Sequence, residues 1–185
     1  MTPLLWLALL ICWAAWAYPF LFRAPHGQKR ESIIARGPTL IGGVLEMIAI
    51  AIAFNVRFPE AIPRITLRLI AAVIAGPLSV GLAWTAVTHL GRQFRITAGL
   101  YNDHELVTTG PYALVRHPIY TSLLGMLIFT SSLLTPVRWA AVAIAIFVLG
   151  TEIRVHAEDK LLASRFGDAF QRYRKSVSAY IPVVR

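Results

Sequence analysis

Long uninterrupted runs of apolar residues dominate the pattern of hydrophobic and polar positions along this chain. The first, Pro3–Phe22, holds 20 residues without a charge, which is about the length that a helix needs to cross the hydrocarbon core of a bilayer. Four more runs follow, at 38–56 (with Glu46 as its one charge), 69–90, 119–137 and 139–151. The pattern predicts an all-α integral membrane protein, a bundle of about five transmembrane helices.

The fourth and fifth runs lie so close together that they predict a tight antiparallel hairpin. Only residues 135–138 separate them, and Pro136 supports a turn there. The fifth run has 13 uncharged residues before Glu152, too few to span a bilayer, but its helical pattern continues through Leu161. We therefore expect a longer fifth helix whose charged end emerges into an aqueous pocket.

The C-terminal segment alternates apolar and basic residues, which predicts an amphipathic helix at the membrane interface. Gly167 is expected to bend or end its first turns. The apolar positions that recur at helical spacing are Leu161, Leu162, Phe166, Phe170 and Tyr173. No internal repeat or linker divides the chain, so we predict a single membrane domain over 1–185, with three N-terminal spans in 1–90.

Composition supports the membrane class. The chain is 57% hydrophobic and 15% charged, far from the balance of a soluble domain. The net charge of +9 comes from basic residues between and after the apolar runs, where anionic headgroups attract them, so we expect a lipid bilayer and no nucleic acid as the partner. Cys12 is the one cysteine, which excludes an intramolecular disulfide and a cysteine-rich metal site.

The distribution of Lys and Arg predicts the orientation. Five spans place 14 basic residues on one side, in 23–36, 91–118 and the tail after Thr151, and 4 on the other. Positively charged loops remain in the cytoplasm. The N-terminus is therefore expected outside and the C-terminus inside. The first run lacks a basic leader and an A-x-A-like cleavage site, so we expect a span there and not a signal peptide.

Polar residues that the topology does not need are concentrated at 104–120 and 152–160, on the same predicted side. His117 and Tyr120 lie at a predicted helix start, whose N–H groups suit a ligand carboxylate or phosphate; alternatively they are interfacial anchors. Arg154 and Glu158 share a helix face, with Asp159 one position round, and could form a site or a surface ion pair.

Three motifs follow one another in the second half of the chain. They are His104-x-Leu106-Val107-Thr108-x-Gly110-x-Tyr112, Arg116-His117-Pro118-x-Tyr120 and Arg154-x-x-x-Glu158-Asp159. In this order they resemble the isoprenylcysteine carboxyl methyltransferase family and its prokaryotic relatives, and phospholipid N-methyltransferases share a looser version. The resemblance covers about 91–182. Asp159 stands where a second Glu is usual in the family.

The resemblance implies an S-adenosylmethionine-dependent methyltransferase that lacks a Rossmann fold and releases S-adenosylhomocysteine. It implies that 91–185 is the cofactor-binding and catalytic half, with its site at the cytoplasmic face. Arg154 would face the methyl acceptor, and Arg154, Glu158 and Asp159 are the catalytic candidates. The residues implied to surround the cofactor are His104, Glu105, Leu106, Val107, Tyr112, His117, Pro118, Ile119, Tyr120 and Glu158.

The acceptor is expected to be a membrane lipid or a lipidated small substrate. A carboxylate acceptor needs no general base, whereas an amine or hydroxyl does. The alternatives are an NADPH-dependent membrane reductase of sterols or other lipids, and a small transporter or membrane adaptor. Glu46 either lines a lipid tunnel or fixes helix packing, and it is left outside the predicted site.

Overall fold

The computed structural model describes residues 3–22, 32–34, 36–57, 65–94, 99–101 and 104–181. Within these ranges the chain forms helices joined by short turns and one pair of three-residue strands. The elements are α1 (Pro3–Phe22), β1 (Ser32–Ile34), α2 (Arg36–Asn55), α3 (Ile65–Leu90), β2 (Gly99–Tyr101), α4 (Pro118–Leu134), α5 (Val137–Phe166) and α6 (Asp168–Ser176), with 3₁₀ turns at Gly91–Gln93 and Gly110–Ala113.

The helices match the apolar runs closely, and the predicted all-α membrane class is confirmed. Four of them, α1, α2, α3 and α5, are long and apolar enough to cross a bilayer, and α4 is a shorter apolar helix of 17 residues. Many large apolar side chains point outward, among them Leu10, Ile41 and Val73. Such a surface suits hydrocarbon, because a soluble protein of this size would bury these side chains.

Helix α5 runs for 30 residues, so the predicted continuation of the fifth run beyond its apolar part is confirmed. Gly167 ends it at φ +50°, in the left-handed region that glycine adopts readily. The amphipathic pattern of α6 is also present. Its Phe170 and Tyr173 are buried in the protein, while Arg172 and Arg174 are exposed.

The turn between α4 and α5 is as short as predicted, since only Thr135 and Pro136 lie between the helices. The two helices nevertheless contact other partners more extensively: α5 packs mainly against α2, and α4 against α3. Glycine residues explain why these pairs of helices pack most extensively, because small residues let helix backbones approach closely in a membrane. Gly150 of α5 lies against Gly42 of α2, and Gly125 of α4 lies against Ser79 of α3.

The two strands connect the loops that follow α1 and α3. β1 and β2 pair antiparallel, with Ser32 opposite Tyr101 and Ile34 opposite Gly99. β2 also contacts α5. Five of the 14 basic residues predicted for one side, and Arg64, predicted on the other, lie outside the described residues; the five are Arg23, Lys29, Arg30, Arg95 and Arg185.

The close approach of α2 and α5 predicts the effect of an added methyl group. A Cβ at Gly150 would overlap the Gly42 carbonyl oxygen at 2.7 Å and the Leu45 Cβ at 2.9 Å. We expect Gly150→Ala to lower the thermal stability in detergent, because overpacking costs about 1–3 kcal/mol. Gly81→Ala in α3 is the control, since nothing lies within 4 Å of its Cβ position. Equal melting temperatures for the two variants would contradict this packing.

Candidate active site

A cavity of about 390 Å³ lies where the start of α4, the later part of α5 and the end of α1 converge. Its volume is in the range of small-molecule binding pockets. Eleven of the twelve positions predicted from the sequence line it, although their roles toward a ligand stay predictions. They are His104, Glu105, Leu106, Val107, Tyr112, His117, Pro118, Ile119, Tyr120, Arg154 and Glu158.

Glu158 presents a partly open carboxylate to this cavity. Its side chain is 24% exposed. The Tyr120 hydroxyl donates to Glu158 Oε1 at 2.5 Å, and His117 Nδ1 lies 3.1 Å from Oε2. Both oxygens are thus fixed in place while the group remains accessible from the cavity. A preoriented carboxylate of this kind suits a cationic ligand group.

His117 is a buried cation between two carboxylates. Its Nε2 lies 3.0 Å from Asp159 Oδ1, so both ring nitrogens face carboxylate oxygens and both must carry hydrogen to donate. Burial alone would lower the pKa of His117, but the hydrogen bonds to Asp159 and Glu158 outweigh it and raise the pKa to about 9. Carboxylate oxygens of the protein therefore engage both ring nitrogens, which leaves neither of them to bind a carboxylate of a ligand.

Asp159 is the one predicted site residue that does not line the cavity. Its side chain is 8% exposed and lies behind His117, where Arg116 Nη2 donates to Oδ2 at 3.1 Å. Helix geometry explains the difference from Glu158, because consecutive helical residues point in different directions. Asp159 is thus placed to orient His117, which separates it from the cavity.

Arg154 is held from a neighbouring helix by Glu46. Its Nη1 donates to Glu46 Oε2 at 2.7 Å, Thr151 donates to Oε1 at 3.1 Å, and the guanidinium lies 4.8 Å from the centre of the Tyr120 ring. Glu46 is 2% exposed and does not line the cavity, so its contacts agree with the packing alternative. The signal in the sequence was a lone acid inside the second apolar run and a base just beyond the end of the fifth.

The start of α4 differs from the expectation of free N–H groups. The His117 N–H donates to the Ala179 carbonyl at 2.8 Å, and the N–H groups of Tyr120 and Thr121 donate to the His117 carbonyl. Protein acceptors therefore occupy most of the donors that an anionic ligand group would need. The interaction with Ala179 could not be read from the sequence, because it joins segments about sixty residues apart.

The segment after α6 lies alongside the residues that lead into α4. Val115 and Ser178 form an isolated parallel bridge, and the Arg116 N–H donates to the Ser178 carbonyl at 2.8 Å. The Arg116 side chain donates to the carbonyl of Val177, and Thr121 donates to that of Tyr180 at 2.6 Å. The tail therefore packs against the residues that lead into α4 and holds them in place.

The rest of the cavity lining was not predicted as part of the site from the sequence. Three of these twelve residues are polar, namely Gln93, Arg116 and Tyr173, and the other nine are apolar. Six of the nine lie inside the runs that predict membrane spans, where nothing marks a residue as part of a site. Leu21 is 60% exposed, so this end of the lining borders the membrane-facing surface. The apolar residues from α1 and from the ends of other helices are Trp16, Ala17, Phe20, Leu21, Leu90, Phe94, Leu123, Leu161 and Leu162.

A membrane helical bundle around a cavity that both charged and apolar side chains line is the class that this fold and site define. The model of the isoprenylcysteine carboxyl methyltransferase family matches residues 69–164, just over half of the chain. The chain therefore belongs to this family, and the predicted resemblance is confirmed. The match begins in the third span, where sequence analysis had found no motif.

Curated relatives include enzymes and proteins named for metal resistance. The protein-S-isoprenylcysteine O-methyltransferase of Schizosaccharomyces pombe is 32% identical over 136 residues, 69% of this chain and 56% of that protein. Enzyme B of that name from Arabidopsis thaliana is 30% identical over 103 residues, which are 54% of this chain and 52% of that protein. The cobalt-zinc-cadmium resistance protein CzcN of Cupriavidus metallidurans is 34% identical over 108 residues, which are 56% of this chain and 44% of that protein. The chain spans about half the length of these relatives.

The contact between Glu46 and Arg154 predicts a large loss of stability when the acid is removed. Glu46→Ala takes the hydrogen-bonded carboxylate from a buried guanidinium, which costs about 3–5 kcal/mol. The matched control is Glu105→Ala, whose partner Arg92 is 60% exposed, so its loss costs at most about 1 kcal/mol. Thermal unfolding in detergent measures both. A smaller loss for Glu46→Ala than for Glu105→Ala would contradict the assignment.

Proposed function

We propose that this protein is an S-adenosylmethionine-dependent methyltransferase that acts on a lipid-like acceptor at the cytoplasmic membrane face. One observation carries the proposal: eleven positions predicted from three separate motifs line a single cavity. Family membership supports it, and relatives from Schizosaccharomyces pombe, Tribolium castaneum and Arabidopsis thaliana carry the name protein-S-isoprenylcysteine O-methyltransferase.

The residues of the cavity fit the chemistry of the cofactor. The partly exposed Glu158 carboxylate would pair with its ammonium group, and Tyr112 with the segment from His104 to Val107 would surround the remainder. When bound, the cofactor supplies an electrophilic methyl group on a sulfonium. The ordered carboxylate and the low exposure of the surrounding lining are what a site needs in order to orient a charged ligand and exclude water.

Arg154 would orient the acceptor. It lies one helical turn from Glu158, lines the same cavity, and is fixed by Glu46 and the Tyr120 ring. A guanidinium binds a carboxylate in two parallel hydrogen bonds. The Glu158 carboxylate is already engaged by His117 and Tyr120, which leaves it a poor general base. Both features favour a carboxylate acceptor, which needs no proton removed.

A lipophilic acceptor would enter from the bilayer along the part of the cavity that α1 lines. Trp16 and Ala17 line it there, and the exposed Leu21 borders the lipid-facing surface. The excess of Lys and Arg on the side of the carboxyl terminus supports a cytoplasmic location for the charged residues of the cavity. The cofactor would then enter from the cytosol and the acceptor from the membrane.

The first experiment measures which nucleotide the protein binds. S-adenosylhomocysteine and NADPH are titrated separately into detergent-purified protein in a calorimeter. We expect saturable binding of S-adenosylhomocysteine and none of NADPH, because the cavity offers a carboxylate for an ammonium group. Binding of NADPH alone would make the protein a reductase, and binding of neither would favour the transporter or adaptor.

Substitutions in the cavity separate cofactor binding from acceptor use. Glu158→Gln should weaken S-adenosylhomocysteine binding by at least about tenfold, since a hydrogen bond to a charged group contributes about 1.5–3 kcal/mol. Arg154→Ala should leave that binding near wild type and abolish methyl transfer to a lipid carboxylate. Glu152→Gln, on the same helix but outside the cavity lining, is the control. Wild-type binding and turnover in both cavity variants would refute these roles.

A further inference from the structure

One polar side chain in the cavity wall is not used by the proposed chemistry. Gln93 ends the 3₁₀ turn Gly91–Gln93 that follows α3, and it lines the cavity. The residue is 4% exposed, and both its amide nitrogen and its amide oxygen are buried without a hydrogen-bond partner among the described residues. None of the sequence motifs includes it.

Burial of this amide costs free energy of folding unless a ligand forms hydrogen bonds with it. Buried side-chain polar atoms in folded proteins nearly always have a partner, and an unsatisfied donor and acceptor together oppose folding. A leucine would fill similar space beside Leu90 and Phe94 without that cost. Since Gln93 neither caps a helix nor bonds a neighbouring side chain in the described part of the chain, a structural role leaves the amide unexplained.

The chemistry of the amide restricts the ligand group that fits it. A glutamine offers one acceptor next to two donors, so its complement is a rigid group with a donor beside an acceptor. The edge of adenine has this arrangement, with its 6-amino group next to a ring nitrogen, and glutamine pairs with it through two hydrogen bonds. A hydrocarbon chain has no such group, and a carboxylate has acceptors only.

The surroundings of Gln93 also suit a flat aromatic base. Phe94 follows it directly, and Phe20 of α1 lies 5.7 Å from Phe94 between ring centres. Ile119 at the start of α4 packs into the same apolar cluster, and all three residues line the cavity. Aromatic and apolar side chains bind the faces of a base while a polar group reads its edge.

We infer that Gln93 recognises the adenine edge of the nucleoside cofactor, a specificity that rests on the proposed methyltransferase function. The base then lies against the wall formed by Gln93, Phe94 and Phe20, and the amino acid end of the cofactor lies toward Glu158. The donor and acceptor of the amide are both satisfied in this arrangement, which accounts for a glutamine in an otherwise apolar wall.

The test compares two ligands on three proteins by calorimetry. The ligands are S-adenosylhomocysteine and its analogue in which hydrogen replaces the 6-amino group of the base. We expect the wild type to prefer the adenine form by about tenfold, and Gln93→Leu to bind it about tenfold more weakly with no preference between the two. Gln171→Leu, at an exposed position of α6, should behave as wild type.

Thermal unfolding distinguishes recognition from a structural role. Gln93→Leu removes an unsatisfied buried amide, so its melting temperature without ligand should equal or exceed that of the wild type. A lower melting temperature together with weaker binding would overturn the inference in favour of a structural role. Unchanged affinity for S-adenosylhomocysteine with a raised KM for the lipid acceptor would overturn it in favour of acceptor binding.

The same titrations separate this inference from the proposed function. If the wild type binds no S-adenosylhomocysteine, the methyltransferase proposal fails together with the inference. If the wild type binds it and Gln93→Leu binds both ligands with wild-type affinity and preference, the methyltransferase proposal stands and only the role of Gln93 is overturned.

Discussion

The pairing of buried ionisable side chains is the constraint on which the rest of this structure depends. A charge removed from water near membrane depth is costly unless an opposite charge and hydrogen bonds compensate it. Here three basic side chains pair with three acidic ones across α2, the start of α4 and α5, in two groups that meet at Tyr120. The members are Arg116, His117, Arg154, Glu46, Glu158 and Asp159.

This network explains why Glu158 keeps an open carboxylate in the cavity. Asp159 and Glu46 are each enclosed by the basic groups they bind, with exposed side-chain fractions of 8% and 3%. Glu158 shares His117 with Asp159 but keeps 24% of its side chain exposed. The enclosed acids hold the bases in position, and His117 together with Tyr120 holds Glu158 toward the cavity. Under the proposed function, the members of this network that contact a ligand are Glu158 and Arg154, and the others position them.

Sequence analysis predicted what depends on local pattern and missed what depends on distant pairing. Apolar runs of helix length gave the spans, and the spacing of Arg154 and Glu158 placed both on one helix face. The separation of Asp159 from the cavity, the contact of Glu46 with Arg154 and the engaged N–H of His117 all involve another helix or the tail. Gln93 had no signal either, because a single polar residue near the end of an apolar run is common.

A close contact between α2 and α5 lies where Glu46 holds Arg154. The packing of these helices and the orientation of Arg154 therefore depend on each other. A Cβ at Gly42 would overlap both the Arg154 side chain and the Gly150 carbonyl. The absence of a side chain at Gly42 thus allows α2 and α5 to approach, and the same approach brings Glu46 within 2.7 Å of the guanidinium. Any change that separates these helices would lengthen that hydrogen bond first, and Arg154 would lose its fixed direction before the bundle lost its fold.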